Sequence, residues 1–169
     1  MSQSGPTNSE AVARHLLEVT KRGLAPVARA LNVVPDEQLA DQPVPEQFPI
    51  GKMIEHVFGS VAFTARALRM GKCEEGDVAD LMGEDEATGT RPRILEMSQI
   101  ATGELDQALA ELDDEAASRT IEFFFGWRLT GVETATLGFQ ELCHHRGQIQ
   151  SFLRLMGYEP PDIYAPGET

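Results

Sequence analysis

Apolar residues recur at three- and four-residue steps in four long stretches, and that spacing predicts four amphipathic helices. The first runs from about Glu10 to Asn32, with Val12, Leu16, Val19, Gly23, Val27 and Leu31 on its stripe and Ser9 in the capping position. Pro26 lies inside this run and predicts a kink or interruption. His15 falls one position off the stripe and reads as a surface residue. The second helix runs from about Ile50 to Met70, placing Met53, His56, Ser60, Phe63 and Ala67 on one face, and Gly71 stops it. The third runs from about Pro92 to Ser118, with Ile94, Met97, Ala101, Leu105, Ala108 and Leu112 as its buried stripe. The fourth runs from about Val132 to Met156 and stops at Gly157.

The segments between them differ in kind. Residues 1–8 read as a disordered lead. Val34–Pro49 is Pro-rich, with at most a short turn near Asp36–Leu39, and connections of that length often shape a site. Residues 72–89 are acidic and Gly-containing and predict a flexible surface loop. Thr120–Thr130 (TIEFFFGWRLT) is aromatic and β-prone and breaks at Gly126. It predicts a short hairpin or an extended cover, and Phe123–Trp127 serves either as a packed plug or as an apolar wall toward a substrate. Residues 158–169 form an extended tail set by Pro160, Pro161 and Pro166. No internal repeat is visible. The chain predicts a single domain over residues 1–169, all-α, built as a four-helix bundle.

Composition narrows the function classes. A hydrophobic fraction of 41% and a mean hydropathy of -0.24 suit an ordinary soluble domain. No window approaches the roughly eighteen apolar residues of a membrane span, so a membrane partner is not expected. The opening MSQSGPTNSE lacks the basic flank and apolar core of a secretory signal, and a cytoplasmic location is expected. The 14 basic residues stand against 27 acidic ones, a net charge of -13, which argues against nucleic acid as a partner. Cys73 and Cys143 form no CxxC pair and read as free thiols.

The chemistry concentrates in the last helix, ELCHHRGQIQSFLRLMGY. Glu141 and His145 lie about 40° apart around a helix axis, on the stripe that carries Leu142, Ile149, Phe152 and Met156. A carboxylate and an imidazole on a core-facing stripe are costly without a partner, and a divalent metal is the simplest one. His56 offers a third ligand from the second helix. Three protein ligands leave an open position, the pattern of catalytic rather than structural sites. The alternative is a Glu141–His145 hydrogen bond at a wet bundle end. His144 points about 100° from His145 and is either an acid/base group or a packing residue. Arg146, on the other flank, either binds an anionic substrate or braces an acidic side chain. Cys143 faces away from the ligands. Gly147 costs roughly 1 kcal/mol inside a helix, which a close approach by another helix or a ligand would explain.

The run His144-His145-Arg146-Gly147-Gln148, then Leu153-Arg154, Gly157 and Pro160-Pro161, resembles the last helix of the DinB/YfiT-like superfamily. His56, behind Pro49-Ile50-Gly51, is similar to that family's first metal histidine. The resemblance implies a four-helix bundle of unusual topology, a homodimer, and zinc or nickel held by three histidines at one end of the bundle. Those ligands map onto His56, position 141 and His145, and this chain departs from the pattern with Glu141. A carboxylate there favours a harder metal, which adds manganese and iron. Relatives act with low-molecular-weight thiols of the bacillithiol or mycothiol type, and others have been described as metal-dependent hydrolases. The resemblance thus implies a metal-dependent thiol S-transferase acting on a small-molecule substrate. Its rivals are a metal-dependent hydrolase and a non-enzymatic stress-response dimer with a vestigial site, which Glu141 would favour.

Overall fold

The computed structural model describes residues 8–83 and 87–163. The expected lead before Asn8, residues 84–86 of the acidic loop and the tail beyond Ile163 lie outside the described residues. In chain order the elements are α1 (Asn8–Val33), a 3-10 turn (Asp36–Gln38), α2 (Ile50–Met70), β1 (Lys72–Cys73), α3 (Glu75–Met82), α4 (Arg91–Glu111), α5 (Asp114–Ser118), β2 (Thr120–Phe123), β3 (Arg128–Thr130) and α6 (Gly131–Leu155). The four long helices α1, α2, α4 and α6 form the predicted bundle. Among the described residues no helix is long and apolar enough to cross a membrane.

α2 is the centre. It packs against both α4 and α6, while α1 packs chiefly against α6. Its burial extends well past the predicted stripe, through Ile54, Val57, Phe58, Val61, Ala62 and Leu68. A helix apolar on most of its circumference belongs inside a bundle rather than on its surface. Its start follows Pro49, and its end is Gly71 in the left-handed region (φ 74°), whose N–H donates to the Ala67 carbonyl. α6 opens with a capping box: Thr130 accepts from the Glu133 N–H, and Glu133 accepts from the Thr130 N–H.

Three expectations need correction. α1 is not interrupted at Pro26, which lies buried inside it, so the ring's packing offsets the hydrogen bond it removes. The third helix does not reach Ser118. It ends at Glu111; Leu112 turns extended (ψ 122°), and Asp113 caps a separate short helix by accepting from the Ala116 N–H at 2.7 Å. The Asp113-Asp114-Glu115 run is a helix-start signal that the longer apolar stripe concealed. The acidic loop holds ordered elements. β1 pairs in parallel with β2, and α3 carries a capping box between Glu74 and Asp77 and buries Leu81.

The aromatic segment is the hairpin β2–β3, antiparallel with Ile121 opposite Leu129, and Gly126 (φ 93°) makes its turn. With β1 it forms a three-stranded sheet in the order β1-β2-β3. Phe123 packs inward on Phe63, ring centroids 5.8 Å apart, while Phe124, Phe125 and Trp127 are exposed.

Candidate metal centre

α2 and α6 run antiparallel. Thr64 of α2 meets Gly138 of α6 at one level, and the His56 and His145 rings meet at another. The approach is close because Gly138 has no side chain: a Cβ there would lie 2.4 Å from the Thr64 Oγ1. This contact sets the level at which His56 faces Glu141 and His145.

His56, Glu141 and His145 each present a ligand atom, and the three atoms lie within 4.8 Å of one another. The imidazoles are perpendicular, with centroids 4.7 Å apart. His145 Nε2 is 3.2 Å from Glu141 Oε2, and its Nδ1 is 2.6 Å from Gln148 Oε1. Gln148 presents a carbonyl oxygen, which accepts a proton carried on His145 Nδ1 and leaves Nε2 toward the Glu141 carboxylate. Either a proton on Nε2 or a cation between the two atoms satisfies the Glu141–His145 pair. Ligand atoms around a tetrahedral ion with bonds near 2.1 Å stand roughly 3.4 Å apart. The Glu141–His145 pair is already at that spacing, and the residues fit a metal.

The environment favours the ligand form of His56. Burial holds its pKa below the ordinary 6.5, the neighbouring His145 and Lys52 push the same way, and Glu141 opposes them. The neutral imidazole is the form that coordinates. Ser60 Oγ stands 3.2 Å from His56 Nε2 and 3.8 Å from the Met82 sulfur, so α3 helps to wall the site. The Phe48 ring lies 5.8 Å from the His56 ring. The group is half-buried: the His145 side chain keeps 13% exposure and that of Glu141 36%.

The other sequence-predicted residues lie around this group. His144 is exposed, its ring centroid 4.7 Å from that of His145. Arg146 sits beside α1, where a Cβ on Gly23 would come 3.7 Å from its Nη1. Gly147 is exposed with nothing within 4 Å of its would-be Cβ, so no close approach accounts for it. Cys143 is half-buried, and among the described residues neither cysteine joins a ligand cluster. Phe63, the hairpin's contact on α2, is seven residues past His56, about 10 Å along the axis.

Gln148 and Lys52 escaped the sequence reading. Gln148 is three residues past His145 on the same face, and helical spacing alone would have found it. Lys52 is four residues before His56, but what it lines depends on a loop that arrives from residues 87–90.

A half-buried set of three ligand atoms on facing helices of a four-helix bundle defines a class: bundle proteins with a candidate metal centre. The chain belongs to the DinB superfamily, whose family model matches residues 17–149. No curated protein matches it in sequence. Two solved structures share the fold. The DinB-like protein YjoA from Bacillus subtilis aligns with a TM-score of 0.62 at 17% identity, covering 90% of this chain and 97% of its own. YfiT from Bacillus subtilis aligns with a TM-score of 0.68 at 14% identity, covering 94% of each chain. YfiT is described as a probable metal-dependent hydrolase with an unusual four-helix bundle topology.

Proposed function

We propose that this chain is a divalent-metal-dependent hydrolase of a small molecule, with His56, Glu141 and His145 as the metal ligands. The observation that carries the reading is the convergence of the three ligand atoms, on half-buried side chains, within 4.8 Å of one another. The description of YfiT supports the same reaction class. A divalent ion held there supplies Lewis acidity and makes water nucleophilic near neutral pH. Gln148 fixes the tautomer and ring plane of His145, as partners of ligating histidines commonly do. Phe48 and Met82 limit solvent around His56. Glu141 lowers the net charge of the ligand set by one unit relative to histidine, which puts manganese and iron beside zinc and nickel.

A second reading uses the same ligands for thiol S-transfer, with a bacillithiol- or mycothiol-type cofactor. The exposure of His144 favours it. His144 is the base candidate beside the centre and faces solvent, whereas a coordinated thiolate needs no base.

Metal content by plasma mass spectrometry on untagged protein tests both readings, beside His56→Ala and Glu141→Ala. Near-stoichiometric metal, lost in both variants, is expected. Turnover of an ester and amide panel without added thiol, reduced at least about 100-fold in the variants, supports the hydrolase. Turnover only with thiol supports the transferase. Protein that neither contains nor takes up metal overturns both and leaves the vestigial-site dimer.

A further inference from the structure

The stripe of α2 that carries His56 also carries a polar residue outside the ligand set. Ser60 is only 4% exposed and lies four residues past His56 on the same face. A buried hydroxyl has one proton to place and an oxygen to satisfy. The buried threonines of the bundle place theirs within their own helices: Thr20 donates to the Leu16 carbonyl, and Thr64 to those of Ser60 and Val61. Ser60 turns to side chains. Its Oγ lies 3.2 Å from His56 Nε2 and 3.8 Å from the Met82 sulfur.

The fold fixes these neighbours. A Cβ on Gly59 would lie 2.5 Å from the Leu81 carbonyl oxygen, so the bare glycine lets the end of α3 close on α2 and bring Met82 to Ser60. Glu55, 5% exposed, accepts from the Gly89 N–H at 2.5 Å and meets Arg93 Nε at 3.4 Å, which fastens the loop before α4 onto α2 beside His56. Lys52, Glu55, His56, Met82 and Thr88 line a cleft of about 30 Å³, with room for little more than a water. The Met82 flank of the His56 ring is therefore closed to a ligand.

The two contacts of Ser60 can run in either of two directions. In one, His56 Nε2–H donates to Ser60 Oγ, and the hydroxyl proton goes to Met82, whose thioether can only accept. In the other, Ser60 donates to Nε2, the imidazole proton moves to Nδ1, and the sulfur faces an oxygen with no proton between them. The first direction makes two hydrogen bonds and leaves Nδ1 its lone pair. The second makes one and leaves the ring no lone pair for a cation.

We infer that Ser60 is a positioning residue: the chain from His56 Nε2–H through the Ser60 hydroxyl to the Met82 sulfur holds the ring so that it offers Nδ1 to the metal. Ligating histidines commonly give their other N–H to such a partner. His145 is held in the opposite sense, by Gln148 at Nδ1 with Nε2 toward Glu141. The ligand role of His56 Nδ1 rests on the proposed metal-dependent function; the hydrogen-bonded chain does not.

Long-range proton–nitrogen correlation spectra of the full chain with isotope-labelled histidine rings test the inference, with and without zinc, beside Ser60→Ala. His56→Gln assigns the His56 signals. Zinc affinity is measured by competition with a chromophoric chelator, and circular dichroism checks the fold. Metal-free wild-type protein is expected to show a slowly exchanging proton on His56 Nε2, and zinc should shift the Nδ1 signal. Ser60→Ala should lose the protected proton, keep its circular dichroism spectrum and bind zinc at least about tenfold more weakly. The absence of a protected Nε2 proton, a His56 proton on Nδ1, zinc on Nε2, or unchanged zinc affinity in Ser60→Ala overturns the inference. The first three are read on wild-type protein, whatever the substitution does to the fold. A protected Nε2 proton in a wild-type chain that takes up no zinc upholds the hydrogen-bonded chain while the metal reading fails.

Discussion

Cys73 and Cys143 carry the same side chain in different surroundings. Cys73 lies on β1 at 3% exposure, and burial pushes its thiol pKa from 9.0 up to about 11, with Asp77 adding to the shift and the Phe124 backbone opposing it. A fold that raises a thiol pKa favours the neutral form. Its stabilising contribution is therefore complete below pH 9.0 and is lost as pH rises through about 11. The same shift cuts the thiolate fraction by about a hundredfold near neutral pH. Alkylation at pH 8 followed by peptide mass mapping should label Cys143 first and Cys73 at least about a hundredfold more slowly, with the difference erased in guanidinium. Equal native rates would show that β1 does not shield Cys73. At this scale the sequence disclosed what helical arithmetic can reach. Glu141 and His145 are local to one helix, and the apolar face of α2 pointed to His56. Lys52 and Glu55 gain their meaning only when Gly89 is folded back onto α2, and periodicity within one helix carries no information about that contact.

Two glycines on the helix pairs show how differently one missing side chain can matter. At Gly138 of α6 an added Cβ meets the Thr64 Oγ1 at 2.4 Å and its Cβ at 3.3 Å. That hydroxyl is held by donation to the Ser60 and Val61 carbonyls, and Thr64 is stiff at χ1. At Gly23 of α1 the obstacle at 2.4 Å is the far end of Leu142, which can turn aside. Gly138→Ala should therefore cost about 1–3 kcal/mol in urea unfolding. Gly23→Ala should be nearly neutral, since alanine gains about 1 kcal/mol of helix propensity. In a Thr64→Ala background the cost of Gly138→Ala should vanish, giving a coupling energy above about 1 kcal/mol. An unchanged cost in that background would place the α2–α6 contact elsewhere. The elements themselves were largely legible: α2 and α6 fall within a residue of their expected ends, because the stops at Gly71 and Gly157 are local signals. The break at Leu112 and the helix α3 were not, because each depends on a polar cap that a hydrophobic stripe or an acidic loop conceals.

The molecule as a whole decides what a metal does for it. One continuous core runs from Ala13 through α2 and α4 to Leu153, and the candidate ligands lie at its half-buried edge. The apo chain can thus fold on hydrophobic burial alone, unlike small domains that need zinc to fold. A metal that binds only the native state then adds to an existing stability. At a hundredfold excess over Kd it contributes about 2.7 kcal/mol, or roughly 5–11 °C in Tm for a chain of this size. Scanning calorimetry with zinc, nickel and manganese should show that increment for at least one ion. It should shrink on acidification, because protons compete for imidazole and carboxylate alike, and it should be absent in His56→Ala/Glu141→Ala. That variant should still melt cooperatively without metal, since neither side chain belongs to the apolar core. A variant that fails to fold would mean that the pair holds α2 and α6 together. Equal shifts in variant and wild type would put the metal elsewhere, among the exposed carboxylates of a chain with 27 acidic residues.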